Sequence, residues 1–420
     1  MKPSCFSGLT LFRAVFLLFA LTVLAVLSVA PGLRALDRIK VNNTINLNSS
    51  LSWTGAVPDR SNMAVWTNVV TGANNSLLGG NMTWLGIRIA DPGGLVTIGP
   101  GGTLTLGPGA AGTSIDLSAA TQDLTIQSGL TLKPAVGQLW NIAAGRTLTL
   151  ENGLFTRGTG STLNIQGAGS VVTTNILNDP ISGLIGTWAT IGTGTTTRFA
   201  MVGGSNTIVA YTGGTAAGTA AAVTDTTGLI NYDVAAIGAI GAGASFHTLR
   251  YTGATGTISG NFTGNGILNS GTGALTFSGN IAIGNSRELV LTNGDSSSAR
   301  DLLFSGIISD SSSGVAGLTK AGLGAITLSG ANTYNGVTQI SRGKIILTSS
   351  GTLGSSAGGT RIGLSGRLTL AGGVTSSESL FLDDATNAFG GGALVENLGT
   401  NTLTGAIRLS DSVRWQSGGT

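Results

Sequence analysis

The feature that most constrains this chain is a short alternation of an aliphatic residue with threonine or another small polar one, repeated along most of its length. It reads Thr103-Leu104-Thr105-Leu106, Leu124-Thr125-Ile126, Leu130-Thr131-Leu132, Leu148-Thr149-Leu150 and Leu163-Asn164-Ile165, then Leu275-Thr276-Phe277, Ile326-Thr327-Leu328, Leu368-Thr369-Leu370 and Leu403-Thr404. A period of two puts the aliphatic residues on one face of a strand and threonine on the other. Each run spans only three to five residues and is bounded by Gly, Asn, Ser or Asp, the residues that turns favour. No sustained stripe at helical spacing follows the N-terminal apolar run. The Ala-rich stretch from Ala216 to Ala244 is interrupted by Gly218, Gly228, Gly238, Gly241 and Gly243, which weakens it as a helix.

Recurrence fixes the expected architecture. Leu104 to Leu124 is 20 residues, Leu124 to Leu148 is 24, Ile326 to Ile345 is 19, Ile345 to Leu368 is 23 and Leu380 to Leu403 is 23. Several short strands per period of that length are what successive coils of a parallel β-helix give, because one coil cannot bury its apolar face alone and stacks on the next. Residues 95–420 then form on the order of 14 coils, a shaft of roughly 65–70 Å at ~4.8 Å per coil. A β-sandwich, or a string of them, is the competing all-β architecture. Residues 200–260 read as an irregular insertion.

Composition supports a chain that turns often and buries many small strands. It has 69 glycines in 420 residues, 9% charged residues and a mean hydropathy of +0.34, whereas disordered chains combine low hydrophobicity with high net charge. The first 35 residues read as a secretory signal peptide. Lys2 and Arg13 precede an uncharged run from Ala14 to Ala30, with small residues at Ser28, Ala30 and Ala35 where cleavage is expected. An uncleaved membrane anchor is the alternative, since about 17 apolar residues lie at the lower limit for a span. Lys2, Arg13 and Arg34 account for the imbalance between 21 basic and 18 acidic residues, so the mature chain is formally neutral. A nucleic-acid partner, which needs a basic patch, is not expected. Cys5 is the sole cysteine and leaves with the signal, so neither disulfides nor cysteine metal sites are expected.

Residues 36–94 differ from the rest of the mature chain. They hold three of the six tryptophans, Trp53, Trp66 and Trp84, with less regular alternation. An N-terminal cap over the open end of the solenoid is the reading we favour; exposed indoles stacking on carbohydrate are the alternative.

The most specific stretch is Gly317 to Leu347, GLTKAGLGAITLSGANTYNGVTQISRGKIIL. It resembles the autotransporter-associated β-strand repeat, or passenger-associated transport repeat. The matching positions are Gly317, Leu318, Thr319, Lys320, Gly322, Gly324, Leu328, Ser329, Gly330, Asn332, Thr333, Tyr334, Gly336, Thr338, Gly343 and Leu347; Val337 and Lys344 depart from the pattern. Gly273–Asn280 and Asn397–Ser410 are weaker echoes. The resemblance implies a right-handed parallel β-helix passenger that assists its own secretion. Self-transporting members end in a membrane β-barrel, which needs at least eight strands of about 10 residues. The sequence ends at Gln416–Thr420 in what reads as the opening of another repeat, so a truncated passenger is expected, with export by another route as the alternative.

Catalytic machinery is hard to find. Gly354-Ser355-Ser356-Ala357-Gly358 fits the nucleophile-elbow pattern by letter, but that motif needs a strand–turn–helix and, in hydrolases of that fold, a later histidine. The sole histidine, His247, precedes Ser356. Without further His or Cys a zinc site is not expected. A β-helix polysaccharide hydrolase or lyase would need paired acids. Asp383, Asp384 and Glu396 form the densest late acidic group, and Asp301 and Asp310 a looser pair; turn capping is the plainer role for all of them. The sequence thus predicts an all-β, right-handed parallel β-helix behind a cleaved signal peptide. Its function would be that of a non-enzymatic secreted or cell-surface shaft with a possible adhesin role. We expect no catalytic, cofactor or metal residues, an unknown surface or glycan partner, and membrane contact only through the export signal or a missing barrel.

Overall fold

The computed structural model describes residues 37–109, 112–294, 298–383, 394–410 and 414–418. It is an all-β parallel solenoid of about 16 turns. The alternating runs form its strands as expected. In Thr103–Leu106 the two leucines are buried and the two threonines half-buried, and the run lies in parallel register on Gly129–Leu132, so that Leu104 sits on Leu130 and Leu106 on Leu132. Each fully buried aliphatic side chain of this kind contributes about 1.5–3 kcal/mol. A β-sandwich is excluded by the parallel pairing of one coil on the next.

The register corrects part of the spacing. Leu124 does lie on Leu148, Ile326 on Ile345 and Ile345 on Leu368. Leu104 and Leu124, however, belong to different faces of the solenoid: Leu104 pairs with Leu130, and Leu124 with Val96 and Leu148. Leu380 lies on Ile407, while Leu403 lies on Ser376. Leucine recurs on every face of a coil, so sequence distance alone cannot say which leucine is stacked on which.

The solenoid comes in two parts. The first has three faces. One contains Arg38–Ile39, Met63–Trp66, Gly86–Ile89, Thr113–Leu117, Gly137–Ile142, Thr162–Gln166 and Ala189–Ile191. The second face runs from Met82–Trp84 to Phe155–Arg157, and the third from Asn74–Leu77 to Ser170–Thr173. After Ala189–Ile191 the pairing turns antiparallel, through Arg198–Val202 and Ile208–Ala210. Parallel stacking resumes at Thr215–Ala217 and continues as a 19-stranded sheet to Arg414–Gly418. The segment expected to be an irregular insertion therefore holds this antiparallel turn-round and the first coils of the second part, Asn231–Val234 lying on Thr248–Tyr251. Its many small residues suit tight stacking of short strands.

The second part folds back along the first. Ser182 accepts a hydrogen bond from Asn231 Nδ2 at 2.8 Å, Arg157 grips Glu288, the Ser341 hydroxyl donates to the Gly160 carbonyl, and Gly363 approaches Ala135 so closely that a Cβ there would lie 1.9 Å from its carbonyl oxygen. Numbers rise along the second part as they fall along the first, so two solenoids lie side by side and antiparallel. The single straight shaft expected from the repeat spacing is a hairpin of two shorter ones. Each has its own hydrophobic core, and Leu184, Phe199 and Leu268 make a small apolar contact where the chain crosses over.

Candidate functional site

The repeat signature is built into the interior. Tyr334 is fully buried, its hydroxyl 2.5 Å from Thr338 Oγ1, which donates to the Leu353 carbonyl at 2.7 Å. Asn332 joins three coils: its Oδ1 accepts from the Ile308 amide at 2.8 Å, and its Nδ2 donates to the Thr352 carbonyl at 2.7 Å. Lys320 has no exposed surface. Its ammonium donates to the carbonyls of Ala321, Gly322 and Arg342, the last two at 2.8 and 3.3 Å. Burial, opposed by the Asp301 charge and reinforced by Arg342, lowers its pKa to about 7. Lys40 repeats the device in the first solenoid, donating to the carbonyls of Val41 and Asn43 and to Asn43 Oδ1, with its pKa lowered to about 8 by burial. These side chains tie turns together; they face no solvent on which to act.

The described acidic residues are engaged in structural roles. Asp383 pairs with Arg361 at 3.8 Å. Glu396 pairs with Arg367 at 3.0 Å and accepts from Thr369 Oγ1 at 2.7 Å. Both are bonds between neighbouring coils. Asp384 lies outside the described residues. Asp301 caps the Ala325 amide at 2.8 Å, and Asp310 accepts from the Ala316 amide at 2.9 Å and from Asn335 Nδ2 at 2.8 Å. Ser356 sits exposed in a turn that leads into the strand Thr360–Ala371, so the strand–turn–helix of a nucleophile elbow is not formed. His247 is half-buried on the strand Ala244–Tyr251; burial lowers its pKa, and the Asp179 carboxylate partly offsets this. Among the described residues, no three His, Cys, Asp or Glu side chains group as metal ligands would, and no helix is long and apolar enough to cross a membrane.

Burial overturns carbohydrate stacking on the early tryptophans. Trp53, Trp66 and Trp84 pack edge to face in the first core, Trp53 lying 5.3 Å from Trp66 and 5.6 Å from Trp84, and none exposes more than 3% of its surface. Trp53 Nε1 donates to the Leu47 carbonyl at 2.8 Å and Trp66 Nε1 to Asn74 Oδ1 at 3.1 Å. Their indoles fill the first described coils.

The seam between the solenoids is the feature the repeat pattern concealed. Arg157 makes a two-pronged pair with Glu288, at 2.7 and 2.8 Å, and Thr319 Oγ1 adds a third bond at 2.6 Å. Burial pushes the Glu288 carboxyl up, but the bonds and charge of Arg157, with Thr319, reverse this and hold it below the usual range. The seam also holds a cavity of about 230 Å³ with walls from both solenoids, including Gln138, Thr162, Asn164 and Thr190 on one side and Asn293 and Arg342 on the other. Nothing in the sequence pairs residues 131 to 181 positions apart.

Compared with known proteins, residues 318–347 match the passenger-associated-transport-repeat family model. Neither the curated proteins nor the solved structures gave a match.

Proposed function

We propose that this chain is a passenger segment of an exported, outer-membrane-associated or secreted protein, acting as a non-enzymatic structural shaft that presents surface loops to a glycan or protein ligand. The repeat and the parallel solenoid fit an autotransporter passenger. The observation that carries the shaft reading is the fate of the polar signature: Lys320, Asn332 and Thr338 are spent on coil-to-coil bonds, and the buried Tyr334 hydroxyl is bonded to Thr338. Of the carboxylates that a polysaccharide hydrolase or lyase would use, the described ones, Asp301, Asp310, Asp383 and Glu396, are likewise engaged in ion pairs and turn caps. Residues 1–35 supply the export signal in this reading. The test is to purify the chain from expressing cells and assay it on a glycan array, on cultured cells and on acidic and neutral polysaccharides. Adhesion predicts saturable binding without turnover. Polysaccharide cleavage that disappears in D383N would replace the shaft reading with an enzyme, and uniformly negative arrays and cell assays would remove the adhesin role alone.

A further inference from the structure

Arg342 exposes only 7% of its surface, and its guanidinium makes neither a hydrogen bond nor an ion pair with any described residue, its Nε lying wholly out of solvent without a partner. Burial lowers its pKa only to about 10, so it stays charged at neutral pH. A buried, unpaired cation costs several kcal/mol as a rule, and guanidinium is shaped to hold a carboxylate through two parallel bonds. Room has been left for it: a Cβ at Gly137 would lie 2.6 Å from that of Arg342. The cavity that Arg342 lines has no acidic residue in its wall. Water alone would solvate the charge without neutralising it.

We propose that this cavity between the two solenoids is a binding site for a small organic carboxylate, which pairs with the Arg342 guanidinium. A volume of about 230 Å³ leaves room for a small organic anion. Bound there, the ligand bridges the solenoids and stabilises their docking. The site stands independently of any adhesin role, which concerns exposed surface.

The experiment is calorimetric titration of the full chain with glucuronate, glucose and inorganic phosphate at matched ionic strength, with strand content followed by circular dichroism. Saturable binding of glucuronate, none of glucose, and at least a roughly tenfold loss of affinity in R342Q is the expected result. R342K, which keeps the charge but loses the two-pronged donor set, weakens binding about three- to tenfold and serves if R342Q does not fold. Binding of phosphate without glucuronate overturns the carboxylate assignment. No saturable heat from glucuronate up to about 10 mM, or equal binding by the wild type and a folded R342Q or R342K chain, overturns the site.

Discussion

Tyr334 and Glu378 show how individual polar residues hold this solenoid. Tyr334→Phe removes the hydroxyl bonded to Thr338 and leaves a shape-matched ring, so a loss of about 1 kcal/mol is expected, read as a shift in denaturant midpoint at constant slope. Glu378 is buried with one bond, from Thr360 Oγ1 at 3.1 Å, and burial raises its pKa to about 7. The folded chain thus holds a proton that the unfolded chain releases near pH 4.5, and this contribution to stability is lost as pH rises from about 4.5 to 7. Lys320 acts in the opposite sense. Its folded pKa is lowered, so the unfolded chain binds the extra proton between about pH 7 and 10.5, and stability from this group rises with pH across that window. Together they place a shallow stability minimum near pH 7. Thermal melts from pH 5 to 10 should show it, with the acid-side slope flattened in E378Q and the alkaline slope flattened in K320M. Lys320 was legible in the repeat signature as a residue; its burial was not, because a lysine in an alternating run reads as solvent-facing.

At the level of the element, the fold depends on ladders that pass from coil to coil. Phe246, Phe262, Phe277 and Phe304 form one of aromatic rings, with Phe277 and Phe304 parallel at 5.3 Å, before aliphatic Leu328 and Leu347 continue the column above them. Backbone contact forms another: a Cβ at Gly330 would lie 2.0 Å from the carbonyl oxygen of Gly306 one coil below. Gly330→Ala must push two turns apart, and a loss of about 3 kcal/mol or more is expected, well above an ordinary surface substitution. Denaturant unfolding checks this, and a loss below about 0.5 kcal/mol would mean that the turns slide apart freely. The strands themselves were readable from the alternation, since a buried face needs one apolar residue in two. Their register was readable only where the repeat is nearly regular, as at Ile326, Ile345 and Leu368.

For the whole molecule, the docking of two antiparallel solenoids sets both shape and weak point. A straight stack of about 16 turns would measure roughly 75 Å at ~4.8 Å per turn; the folded-back pair should give an X-ray scattering maximum dimension nearer the length of its longer arm. Arg157→Ala leaves the half-buried Glu288 carboxylate without its two-pronged partner, for an expected loss of about 2 kcal/mol. The double replacement R157M/E288M should recover most of it, because no charge then stays unpaired; a denaturation series of the three variants reads the difference. The sequence by itself determined the strands, the coil-on-coil stacking and the repeat family of residues 318–347, because those depend on contacts that recur every few strands and leave a period behind. Only the tertiary structure decided that the stack doubles back, that the early tryptophans are core and that Arg342 faces a cavity. Such contacts join residues far apart in the chain, each made once, and a contact made once has no period to be read.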